Sequence, residues 1–144
     1  MKSIFRVFLL LAVIVTAGIV VSCQPDSTSN IDPNDPRNEY VGVWQFKELG
    51  KLKNGNSVEM SYIVSITTDP DNTSQVILNN FVGAGKDVFG LVTSNQIVVS
   101  SQTLDNGVTL EGSGQKTGTG KMSWSYSTII GGDKIYYTAT ATKQ

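Results

Sequence analysis

The stretch Lys121-Met122-Ser123-Trp124-Ser125-Tyr126-Ser127-Thr128-Ile129-Ile130-Gly131-Gly132-Asp133-Lys134-Ile135-Tyr136-Tyr137-Thr138-Ala139-Thr140-Ala141-Thr142-Lys143 decides the fold. Met122, Trp124 and Tyr126 share one face, and Lys121, Ser123, Ser125 and Ser127 the other. Beyond the glycines, Ile135, Tyr137, Ala139 and Ala141 oppose Tyr136, Thr138, Thr140 and Thr142. An apolar residue at every second position is the pattern of a strand with one buried face. Gly131-Gly132 suits a two-residue primed turn, where both central residues take positive φ. That turn pairs Ile130 with Asp133. It predicts Trp124 opposite Ala139, Met122 opposite Ala141 and Tyr126 opposite Tyr137. Large side chains then meet small ones across the hairpin, apart from the tyrosine pair.

The same period runs upstream to Tyr40. Eight runs emerge, at 41–50, 58–68, 74–81, 87–93, 96–101, 107–116, 120–130 and 133–143. No stretch carries a helical period. In the second run Val58, Met60, Tyr62, Val64 and Ile66 share a face, with Ile63 an apolar residue on the outer side. Ser94-Asn95 and Asp105-Asn106-Gly107 mark tight bends, and Asp69–Ser74 and Gly83–Lys86 mark loops. For Trp44 and Phe46 to share a core with Val64 and Ile66, paired numbers in the first hairpin must sum to an even value. A three-residue loop or bulge at Asn54-Gly55-Asn56 is therefore predicted, with Trp44 opposite Ile66. The fold class is all-β: an antiparallel up-and-down meander closing into a small barrel, with a β-sandwich as the alternative.

The chemistry available is sparse. The chain has no histidine and one cysteine, which excludes serine triads, His-rich zinc sites and imidazole acid–base work. No cofactor or metal is implied. Gly83-Ala84-Gly85-Lys86 lacks the following helix and Ser/Thr of a phosphate loop. Glu48 shares parity with Trp44 and Phe46 but has no partner carboxylate in the pattern, so it is expected at the barrel rim, in water.

The N-terminus carries a second signal. Lys2 and Arg6 precede an apolar run from Val7 that ends in Val20-Val21-Ser22-Cys23. A basic start and an apolar stretch before a small residue make an export signal, with an uncleaved spanning anchor as the alternative because the run nears bilayer length. No basic cluster follows to stop transfer. Val20-Val21-Ser22-Cys23 resembles the lipobox of bacterial lipoproteins. That resemblance implies that 1–22 is removed and that Cys23 is acylated, anchoring the chain to a membrane. Gln24 after the cysteine implies the outer membrane of a Gram-negative envelope, with the face left open. The segment 23–39 is polar, with Pro25, Pro33 and Pro36, and reads as a disordered tether in which Asp32 and Asp35 are solvated turn residues. Asp26-Ser27-Thr28 looks like an O-glycosylation acceptor. Lys2 and Arg6 are the only charges in the signal, so after cleavage nine basic residues face twelve acidic ones, a net charge of −3. That balance argues against nucleic acid as a partner.

The remaining segment, 40–144, carries a further resemblance. Tyr40-Val41-Gly42-Val43-Trp44 is similar to the Gly-x-Trp opening of the lipocalin and calycin group. Gln75–Phe81, Ser94-Asn95, Val99–Gln102 and Gly112-Ser113-Gly114 are similar to stretches of short lipocalin-like bacterial lipoproteins. The resemblance implies a barrel plugged at one end by Trp44. The chain is shorter than a full lipocalin, and no arginine follows Arg37 to cover the plugging ring. Trp44, Phe46, Tyr62, Trp124, Tyr126 and Tyr137 are the candidate lumen and ligand-binding residues, with gaps expected at Gly112, Gly114, Ala139 and Ala141. Two non-catalytic classes follow. One is a cup for a small apolar or sugar-like ligand. The other is a filled barrel that meets another envelope protein. A polar-mouthed lumen pocket of about 300 Å3 or more separates them.

Overall fold

A computed structural model describes residues 32–51 and 55–144. The signal segment, Cys23, Asp26-Ser27-Thr28 and Asn54 lie outside the described residues. Eight strands follow one another: β1 Gly42–Lys51, β2 Ser57–Thr68, β3 Gln75–Asn79, β4 Asp87–Val92, β5 Gln96–Thr103, β6 Thr109–Gly118, β7 Lys121–Ile130 and β8 Asp133–Lys143. Each is antiparallel to the next, and β8 pairs with β1 to close a barrel. Closure gives the inward faces of the strands a common interior.

The closing hairpin has the register expected from its turn. Ile130 pairs with Asp133, Trp124 with Ala139, Met122 with Ala141 and Tyr126 with Tyr137. Gly131 and Gly132 take φ of 59° and 89°, as the primed turn requires. The first hairpin keeps the expected parity but not the expected partner. Trp44 faces Val64, not Ile66, and the last rung is Lys51–Ser57. The connection is thus longer than three residues. Parity was set by burial, which a two-residue slip leaves unchanged.

The lower end of the barrel, the base, is shut by the chain that enters it. Pro36–Glu39 forms a 3-10 turn capped by Asp35, and Arg37 is buried beneath it. The Arg37 guanidinium donates to Asp35 and to the carbonyls of Asp69, Asn72 and Gln75 at 2.9–3.3 Å. It holds the Asp35 carboxyl below its usual pKa range by direct hydrogen bonding. Residues 32–39 therefore belong to the compact unit Asp32–Gln144, and not to the polar tether that their composition suggested. Asp35 is a cap and ion-pair partner rather than a solvated turn residue. Trp44 lies just above, with Nε1 donating to the Tyr40 carbonyl at 2.7 Å. The Lys143 ammonium stands 5.7 Å over its ring. A lysine from the C-terminal strand thus covers the tryptophan.

The barrel wall is uneven. β7 and β8 pair without interruption from Lys121–Thr142 to Ile130–Asp133. Among the described residues β4 and β5 share only the rungs Leu91–Val98 and Val92–Ile97. Beyond them β5 bulges between Val99 and Gln102. The Gln102 carboxamide spans the opening. Its Oε1 accepts from Phe89 N at 3.0 Å, and its Nε2 donates to Phe89 O at 2.8 Å and Ser100 O at 3.3 Å. An amide side chain replaces a missing backbone rung, so the Phe89 N–H and C=O stay paired.

Candidate functional site

The inward positions of each strand stack into layers. Trp44 and Met122 lie low, Phe46, Val64, Trp124 and Ala139 in the middle, and Glu48, Tyr62, Tyr126 and Tyr137 near the upper end, the mouth. Phe46 lies 5.7 Å from the rings of both Tyr62 and Trp124, and Tyr126 stacks on Tyr137 at 5.0 Å. The structure therefore brings together five of the six aromatic candidates. Trp44 belongs instead to the base.

One ring was not anticipated. The period-two run 74–81 places Phe81 at the end of a strand, but β3 stops at Asn79. Asn80 and Val82 take φ of 65° and 57°, and Phe81 turns inward between them. A β-branched residue at positive φ is strained. The gain is burial: Phe81 is fully buried, 4.9 Å from the rings of Trp124 and Tyr126 and 5.8 Å from Phe46. Asn80 holds the bend, its side chain bonding the Ile63 carbonyl and the Gly85 amide. The gaps expected on β6 are also filled. Gly112 pairs with Tyr126 and Gly114 with Trp124, and a Cβ at either would enter the facing aromatic residue.

Glu48 is the other correction. It is 5 % exposed, not a rim residue in water. β1 and β2 run on past its rung with Met60, and two tyrosines reach across the lumen to it. Tyr62 Oη donates to Glu48 Oε2 at 2.7 Å, Tyr126 Oη donates to the same oxygen, and the two phenols lie 3.1 Å apart. One carboxyl oxygen has lone pairs enough for both donors. Burial, the largest cause, pushes both phenol pKa values up, so both remain donors. No cation bonds Glu48 among the described residues, and its Oε1 has no hydrogen-bond partner there. Above it, Val58 and Met60 carry inward parity yet are 44 % and 46 % exposed. Thr128, the next inward position after Tyr126 on β7, has a buried hydroxyl without a partner. The parity of Glu48 was visible in the sequence; the reach of Tyr62 and Tyr126 depends on barrel curvature, which was not.

The largest cleft described, about 850 Å3, lies on the outer wall across β7, β8, β1 and β2. Glu48, Met60, Trp124 and Ala139, of inward parity, also border it, but most of its lining, Lys47 and Thr138 among it, has outward parity, so it is the saddle of a twisted wall and not the lumen. Among the described residues no cluster of three or more acidic, cysteine or histidine side chains is placed to hold a metal. No family model and no curated protein matches the chain.

Proposed function

We propose that this chain is a lipid-anchored, non-catalytic protein of a Gram-negative envelope, with a lipocalin-like barrel that takes a small ligand at its mouth. The observation that carries the binding role is the buried Glu48 carboxylate, held by Tyr62 and Tyr126 with one oxygen unpaired beneath half-exposed apolar residues. Drawing a carboxylate largely out of water with no cation beside it costs free energy. The anchor rests on Val20-Val21-Ser22-Cys23 and the apolar run before it.

A second reading has its own support. Phe46, Phe81, Trp124 and Tyr126 fill the middle of the barrel, which favours a rigid scaffold that meets another envelope protein. Amide chemical shifts of the full processed protein separate the two. A panel of small polar and apolar compounds is expected to move residues 48–50, 58–62, 126–130 and 135–139 and to leave the base around Trp44 and Lys143 unmoved. A panel that moves none of the mouth residues leaves the scaffold. Intact mass of the membrane fraction tests the anchor. The account expects an acylated Cys23 as first residue and an uncleaved signal in Cys23→Ser; a free Cys23 thiol in the mature chain contradicts it.

A further inference from the structure

We infer that the mouth selects a small primary amine, with its ammonium on Glu48 Oε1 and a short apolar stem along Met60 and Val58. This rests on the mouth being a ligand site and adds the class of ligand.

Four observations converge. First, the mouth has a charge to match. Glu48 Oε2 is occupied by two phenols, while Oε1 has no partner among the described residues. An incoming anion would be repelled there, and a neutral hydroxyl would leave the carboxylate without a counter-charge. An ammonium supplies both a positive charge and three donors. Second, the inward neighbours are acceptors or rings. The Thr128 hydroxyl is buried and unpaired, and Tyr62 and Tyr137 are partly buried aromatic residues at the same level. Aromatic rings and a carboxylate together favour cations. Third, Val58 and Met60 have inward parity yet stay half-exposed, so an alkyl stem has apolar surface to lie on. Fourth, the strained backbone of the barrel lies here. Among the described residues the two non-glycine positive-φ positions, Asn80 and Val82, flank Phe81, whose ring lies 4.9 Å from that of Tyr126, and a Cβ at Gly83 would lie 4.0 Å from the Met60 methyl. Backbone strain concentrates at ligand sites.

The test uses the full processed protein and three water-soluble probes of one stem length: n-butylammonium, n-butanol and n-butyrate. Amide shifts at residues 48–50, 58–62 and 126–130 are followed in titration. Butylammonium is expected to bind at least about tenfold more tightly than butanol, and butyrate not at all, the size of one charge-assisted hydrogen bond. Glu48→Gln keeps the shape of the side chain and is expected to erase the preference for butylammonium over butanol. A salt titration of the wild-type protein needs no variant: butylammonium affinity is expected to fall with added sodium chloride and butanol affinity to stay level. Equal binding of butylammonium and butanol, or a preference that survives Glu48→Gln, overturns the amine and leaves the mouth standing as a ligand site. Absence of any shift at the mouth with all three probes and with the wider panel overturns both.

Discussion

Below the Glu48 carboxylate the barrel is solid; above it the same strands carry apolar side chains into water. Phe46, Phe81, Trp124 and Tyr126 are at most 3 % exposed, and their rings lie 4.9–5.8 Å apart. Two inward steps along β2 from Val64, Met60 is 46 % exposed. The difference shows that one period-two pattern serves two ends. In the lower part it sets packing and stability. At the mouth it sets which groups a solute meets first.

The largest effect is expected in the solid part. Trp124→Ala removes a ring packed on Gly114, Phe46 and Phe81 and is expected to destabilise the fold by about 3–5 kcal/mol in denaturant unfolding. A loss below about 1 kcal/mol, outside the range for buried aromatic truncation, removes the filled interior at that wall.

A smaller effect is expected at the boundary. Tyr126→Phe keeps the ring but withdraws one donor from Glu48, at about 1.5–3 kcal/mol for a hydrogen bond to a charged group. The same residues give a pH dependence. Unfolded tyrosines ionise near pH 10. Burial holds the folded Tyr62 and Tyr126 phenols protonated above that point. Their contribution is therefore complete below about pH 10 and is lost as the pH rises further. Unfolding free energies measured between neutral and alkaline pH are expected to fall beyond about pH 10, and to fall less steeply in Tyr126→Phe. Equal slopes in the two proteins contradict the buried phenol.

The smallest effect concerns the wall. Gln102→Ala leaves Phe89 N–H and C=O without their partner, at about 1 kcal/mol. Hydrogen exchange is expected to quicken at Phe89 while the β7–β8 amides keep their protection. Unchanged exchange at Phe89 indicates that backbone or water closes the seam instead.

Much of this architecture was legible. The closing hairpin could be written rung by rung because Gly131-Gly132 allows one tight turn and the faces of β7 and β8 differ sharply in polarity. The first hairpin could be read only to parity. Burial fixes which face points inward, not how far a strand slides by two residues, so Trp44 was paired one inward step too far. Phe81 was missed because its burial comes from a strained turn after β3, which no strand periodicity describes. Gln102 reads as an ordinary polar strand residue until β5 is seen to bulge away from β4. Glu48 had the right parity, but its depth depends on two long tyrosines from β2 and β7 meeting across the lumen.

The filled interior can be measured most directly at Trp124 itself. Trp124 and Trp44 are each 2 % exposed, one beneath the mouth and one at the base. In a Trp44→Phe background the remaining emission comes from Trp124 alone. Acrylamide, small enough to enter an open cup, is expected to quench it weakly, with a blue-shifted emission maximum that added butylammonium leaves in place. Quenching as efficient as that of the unfolded chain contradicts a solid barrel and places open, wet space beside Trp124.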